Sequence, residues 1–147
     1  MYNHILIPVD LSSANEAVFQ EARRLGTPGE TTLFLLHVIE TLEEDEPGEL
    51  DDFYEELHAD ANEKLTAWAG TIADDGFEVQ AEITYGPRAP EITRVAEEDD
   101  IDLIVQRSHT VDRDDDPETS VGTVSHQVAI FAPCSVLLVR LDEEAAA

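Results

Sequence analysis

Asp102 to Thr110 reads D-L-I-V-Q-R-S-H-T, and Val111 to Glu118 reads V-D-R-D-D-D-P-E. Thr119 to Val128 follows as T-S-V-G-T-V-S-H-Q-V, and Ala132 to Val139 closes as A-P-C-S-V-L-L-V. The pattern is a buried strand, an acidic loop, a helix start and a second buried strand. In a parallel α/β sheet, ligands bind in the crevice beyond the carboxyl ends of the strands. The helix that follows offers unpaired N–H groups and a positive dipole end to an anion. The segment from Gln106 to Val124 is therefore where a phosphate-bearing ligand is expected.

Outward from this stretch the chain keeps alternating. His4 to Val9 (H-I-L-I-P-V) is a continuous apolar run, as in a strand buried on both faces. Pro8 cannot donate to a ladder, so it belongs at the strand's end, with Asp10 just beyond. Ser13 to Glu16 reads as a capping box. Ala14, Ala17, Val18, Ala22 and Leu25 then make one helical face, stopped by Gly26 and Pro28. Thr32 to Ile39 is a second apolar strand, and Glu40 to Asp52 an acidic loop. Phe53, Leu57, Ala61, Leu65, Trp68 and Ile72 recur at helical spacing, which predicts a long amphipathic helix ending near Gly76.

Phe77, Val79, Ala81 and Ile83 alternate with polar residues, the signature of a strand with one wet face at a sheet edge. Gly86-Pro87 turns the chain. Pro90 suits the first turn of a helix whose inward face is Ile92, Val95 and Ala96. Ile101 to Val105 is the next buried strand. Thr119 or Ser120 caps the last helix, with Val121, Val124, Val128 and Phe131 inward, and Cys134 to Val139 is the last strand. Five strands alternating with helices predict one α/β domain over residues 1–141, built on a parallel sheet. Residues 142–147 read as a disordered acidic tail.

Composition narrows the function classes. The chain has 147 residues, enough for one domain with a proper core. No run is long and apolar enough to span a membrane. The start, M-Y-N-H-I-L-I-P-V-D, lacks a signal peptide's basic region and cleavage site. With Cys134 as the one cysteine, neither an intrachain disulfide nor a cysteine-based zinc site is expected. These features read as a cytoplasmic protein. There are 34 acidic residues against 8 Lys plus Arg, a formal charge of -26, and Lys64 is the one lysine. Such a surface repels nucleic acid and anionic lipid, so neither is expected as a partner. The acids are spread over every helix and loop. That distribution reads as adaptation to molar salt, as in a halophile, rather than as one acidic tail awaiting a basic partner.

The last strand carries a further expectation. Val136, Leu137, Leu138 and Val139 are apolar on both faces. At a sheet edge they would be adhesive, and pairing with a second copy covers them and closes a two-fold homodimer.

The chain resembles the universal stress protein family. I-L-I-P-V-D-L-S is similar to its first strand and acidic turn, L-L-H-V-I to its second strand, and G-P-R-A-P-E-I to its turn into the third helix. D-L-I-V-Q-R-S-H is similar to its fourth strand, and V-G-T-V-S-H-Q-V with A-P-C-S-V-L-L-V to its closing helix and strand. The resemblance implies an open five-stranded parallel sheet of order 3-2-1-4-5 with helices on both faces, like the adenine nucleotide alpha hydrolases. It also implies a dimer through the fifth strand. By the same analogy Asp10 meets a ribose and the Val38 backbone an adenine. Gly122, Thr123 and Val124 then meet phosphates. Members that bind ATP carry G-x-x-G and, after nine residues, G-[ST]. Here the first two glycine positions hold Arg107 and Thr110, and the spacer to Gly122 is eleven residues. Thr110 is β-branched and disfavours the positive φ that glycine provides. Asp112, Asp114, Asp115, Asp116 and Glu118 add negative charge beside a phosphate path. Arg107 can pair with phosphate or with those acids.

Other chemistries fit less well. Asp112, Asp114 and Asp116 match the first acids of a calcium loop, but Pro117 and Thr123 stand where it needs glycine and glutamate. His4, His37, His58, His109 and His126 show no metal-helix spacing, although His109 and His126 flank the expected crevice. The serines lack a nucleophile elbow. Cys134 opens a buried strand and reads as an inert thiol. A receiver domain needs an acid where Thr84-Tyr85 stands. The sequence thus points to a non-catalytic, dimeric stress-response binding module with a degenerate nucleotide site occluded by its acidic loop, and with no certain cofactor. The alternative is an ATP or AMP sensor with slow or no hydrolysis, using Asp10, Val38, Arg107, Thr110 and Gly122 to Val124.

Overall fold

The structure is a computed structural model and describes residues 2–12, 15–41, 51–108 and 124–140. Its elements run β1 (His4–Pro8), α1 (Asn15–Leu25), β2 (Thr32–Ile39), α2 (Asp51–Asp74), β3 (Glu78–Tyr85), α3 (Arg88–Glu98), β4 (Leu103–Arg107), α4 (Val124–Phe131) and β5 (Ser135–Val139). The strands form one parallel sheet in the order β3-β2-β1-β4-β5. This is the order the resemblance implies, and it leaves β3 and β5 at the edges.

Alternation of side chains across the sheet divides the core in two. Ile5, Ile7, Leu33, Leu35, Leu103 and Val105 face α1 and α2. Leu6, Leu36, Val38 and Ile104 face α3 and α4. The β1 run is apolar throughout because both of its faces are covered, and Ile5, Leu6 and Ile7 are wholly buried. Full burial of each such side chain contributes roughly 1.5–3 kcal/mol. Pro8 ends β1, and the ladder continues through Val9 N–H, which donates to Leu36 O at 2.8 Å.

Several local expectations are corrected. The inward face of α1 is Asn15, Val18, Phe19 and Ala22, so Phe19 was missed. Phe19 is 1% exposed and meets the Trp68 ring edge-on at 5.5 Å, which locks α1 to α2. The α2 helix starts at Asp51, within the expected loop, and its first apolar residue is not inward: Phe53 is 51% exposed. Its ring meets that of Tyr54 edge-on at 5.6 Å. Phe131 was expected inside but is 73% exposed, because α4 turns Val128 to the core one turn earlier. The third strand extends to Tyr85, and the fourth extends to Arg107. The Ser13–Ala14 part of the capping box, the Thr119/Ser120 cap, Val121, the acidic Asp112–Glu118 segment and the tail lie outside the described residues.

At the amino end of the sheet, Asp102 joins β4 to β1. Its carboxylate accepts the N–H groups of Asn3 and His4 at 2.8 and 3.0 Å.

Candidate functional site

The β1, β2 and β4 strands all end at one place, and the chain leaves β1 and β4 toward helices on opposite faces. Among the described residues this leaves a cleft of about 100 Å³. Its wall takes Val9 and Asp10 from β1's end, His37 and Val38 from β2, and Gln106 and Arg107 from β4. The α1 helix adds Asn15, α3 adds Arg88 and Ile92, and α4 adds Val124 and Ser125.

Asp10 is held by local bonds. Its Oδ1 accepts from Ser12 N–H at 2.8 Å, from Ser12 Oγ–H at 2.5 Å and from Asn15 Nδ2 at 3.1 Å. Asn15, 2% exposed, also donates to the main-chain oxygens of Asp10 and Ser12 at 2.6 and 2.9 Å. It serves less as a helix-starting residue than as the clasp of the β1–α1 turn. Partial burial is the largest single influence on the Asp10 carboxyl and would raise its pKa. The Ser12 hydroxyl, the Ser12 N–H, Asn15 and then Arg107 together outweigh it, and the pKa lies below its ordinary value. Asp10 is therefore an anion with its second oxygen turned to the cleft, where Arg107 Nη1 approaches Oδ2 at 3.4 Å.

Two polar groups brace the floor. Gln106, 4% exposed, donates from Nε2 to Ser125 O at 3.1 Å and ties β4 to α4. His37 donates from Nδ1 to Val9 O at 2.9 Å, since a carbonyl can only accept. In the neutral ring this leaves Nε2 as the acceptor nitrogen.

Arg88 reaches the cleft because of the turn before α3. Gly86 has φ +139°, and a Cβ there would stand 3.2 Å from Glu91 Cγ. Its N–H donates to Ile39 O, so the chain folds back over the end of β2. Arg88 is the first residue of α3 and pairs loosely with Glu40 at 3.7 Å.

Of the residues singled out by sequence, Asp10, Val38, Arg107 and Val124 converge on this cleft. Thr110, Gly122, Thr123 and His109 lie outside the described residues, while His126 is exposed on α4 and does not line the cleft. Sequence reasoning missed Asn15, His37 and Arg88, and gave Gln106 only as the first residue of the expected ligand segment. Among the described residues, no group of His, Cys, Asp and Glu is placed to hold a metal ion. Likewise no helix is long and apolar enough to cross a membrane.

The model of the universal stress protein family matches residues 1–140. The chain belongs to the universal stress protein family. Universal stress protein MJ0577 of Methanocaldococcus jannaschii is 27% identical, with 95% of this chain and 96% of that protein covered. The solved structure of MJ0577 superposes with a TM-score of 0.82 over 97% of this chain and 99% of that one. Universal stress protein UspA of Lactobacillus plantarum is 29% identical, with a TM-score of 0.76 over 95% and 98% of the two chains. An Arabidopsis thaliana family protein crystallised with AMP bound shares the fold at 16% identity, with a TM-score of 0.68 over 97% and 94%. In this universal stress protein Arg107, where the resemblance places the first glycine of the pattern, stands in β4 as an extended residue paired with Val139.

Proposed function

We propose that this universal stress protein is a non-catalytic, homodimeric binding module of the cytoplasm whose altered cleft holds an adenine nucleotide without turning it over. The observation that carries the reading is electrostatic. The chain has a net charge of -26, yet among the described residues the charged ones lining the cleft are two arginines and one aspartate. An otherwise repulsive surface is thus locally hospitable to an anion. The apolar wall of Val38, Ile92 and Val124 suits a base, and Asp10 offers a fixed anionic acceptor to ribose hydroxyls. The AMP held by the Arabidopsis relative supports the same ligand class. The dimer uses Val136 to Val139, and acid-rich composition suits the protein to molar salt.

Thermal unfolding in molar KCl tests the reading. Millimolar AMP raises the midpoint by several degrees, at about 2–4 °C per kcal/mol of linked binding energy. Asp10→Ala removes the shift. No phosphate is released from ATP above the buffer rate. A midpoint indifferent to adenine nucleotides removes the nucleotide from the proposal, and sustained phosphate release removes the absence of turnover.

A further inference from the structure

We infer that Arg107, with Arg88, makes this cleft selective for an adenine nucleotide carrying a single phosphate, of the AMP class, over the triphosphate. The inference rests on the adenine-nucleotide reading above.

The ion pairs of the described arginines fall into two groups. Arg23, Arg24 and Arg94 hold carboxylates at 2.6 to 3.2 Å. Arg107 and Arg88 hold theirs at 3.4 and 3.7 Å, the two longest pairs, and all four partners are at least 39% exposed. Exposed pairs of this length contribute little and exchange readily. These two guanidiniums are therefore the ones most easily recruited by a phosphate, and both line the cleft. A guanidinium recognises phosphate oxygens bidentately, and displacing its carboxylate leaves Asp10 to the sugar.

The same residues fail a triphosphate. A polyphosphate chain is usually cradled by successive backbone N–H groups, which requires glycine to bring the backbone close. Arg107 is instead an extended strand residue. The next N–H, that of Ser108, already donates to Val139 O at 2.8 Å. What β4 offers at this point is one side-chain cation, not a row of amides. Two guanidiniums match the charge of a monophosphate, about -1.5 to -2 for a phosphate monoester near neutral pH. Among the described residues lining the cleft, the two further phosphoryl groups of ATP find no third cation.

Calorimetric titration of the full chain in molar KCl, with AMP and with magnesium ATP, tests this on the wild type, Arg107→Gly and Arg107→Lys. The wild type binds AMP about tenfold or more tighter than ATP, the size expected for one added charge-assisted contact. Arg107→Gly loses that preference by weakening AMP about tenfold, while Arg107→Lys keeps its direction with a smaller ratio. Arg107 is partly exposed at the end of β4, so both variants should unfold cooperatively, with Arg107→Gly shifted to a lower midpoint by the cost of glycine in a strand. A wild type that binds both nucleotides equally, or an AMP-to-ATP ratio unmoved by Arg107→Gly, overturns the selectivity and leaves the nucleotide reading standing. A wild type that binds neither nucleotide overturns both.

Discussion

Asp10 occupies the point where β1 releases the chain, and its ionisation is tied to the fold by neighbours only two and five residues away. Its folded pKa lies below the ordinary value of 3.8. Such a group adds stability that is fully present above its unfolded pKa and is lost as pH falls through the folded value. Urea unfolding of the wild type and Asp10→Asn should therefore differ at neutral pH, with the wild type more stable. The gap should close as pH is lowered below about 4. A gap constant across that range would mean that the carboxylate's charge is irrelevant to the turn. Asp10 was legible in sequence because an acid directly after a buried run marks a strand's carboxyl end. Asn15 was not, since Ser-Ala-Asn-Glu also fits a capping box, and only the returning chain puts its amide beneath the Asp10 carboxylate. Arg107 was legible as a departure from a pattern, but its reach to Asp10, distant in sequence by 97 positions, was not.

At the scale of elements, the two sheet edges behave differently. β3 is half-buried at Val79 and Ile83 but exposed from Gln80 to Glu82, where Gln80 and Glu82 discourage edge pairing. The V-L-L-V run of β5 has no such protection: Leu138 is 39% exposed, and Ile130 and Phe131 at the end of α4 are 58% and 73% exposed. Exposed apolar residues beside an edge strand suit a second copy of the same edge. Leu138→Lys should therefore shift sedimentation in molar KCl from dimer toward monomer with little change in the monomer's own melting, because the side chain is not core. A monomeric wild type would leave these residues without the occupant proposed for them. The β3 edge was readable because alternation is a local signal, whereas the apolar β5 run reads locally as an interior strand and its edge place came with the resemblance. The exposure of Phe131 was not, because a short helix can turn either of two apolar stripes inward, and packing against α3 decided which.

For the whole molecule, charge and topology pull on stability in separate ways. A net charge of -26 on one small domain is self-repulsive, and the screening length falls from about 10 Å at 0.1 M salt to about 3 Å at 1 M. The melting temperature should therefore rise by well over ten degrees between 0.1 and 2 M KCl, as scanning calorimetry would read it. A flat response would remove the proposed salt adaptation. The apolar periodicities, being local, determined by themselves that strands and helices alternate, that β1 and β4 are buried on both faces, and that β3 is an edge. The resemblance carried the strand order as well. What the sequence alone left open was which polar side chains meet. Asn15, His37, Arg88 and Gln106 come from four different elements, and none sits in a motif of its own. They share one cleft only because parallel strands end together and the Gly86 turn folds α3 back over them, so their proximity is a property of the closed fold.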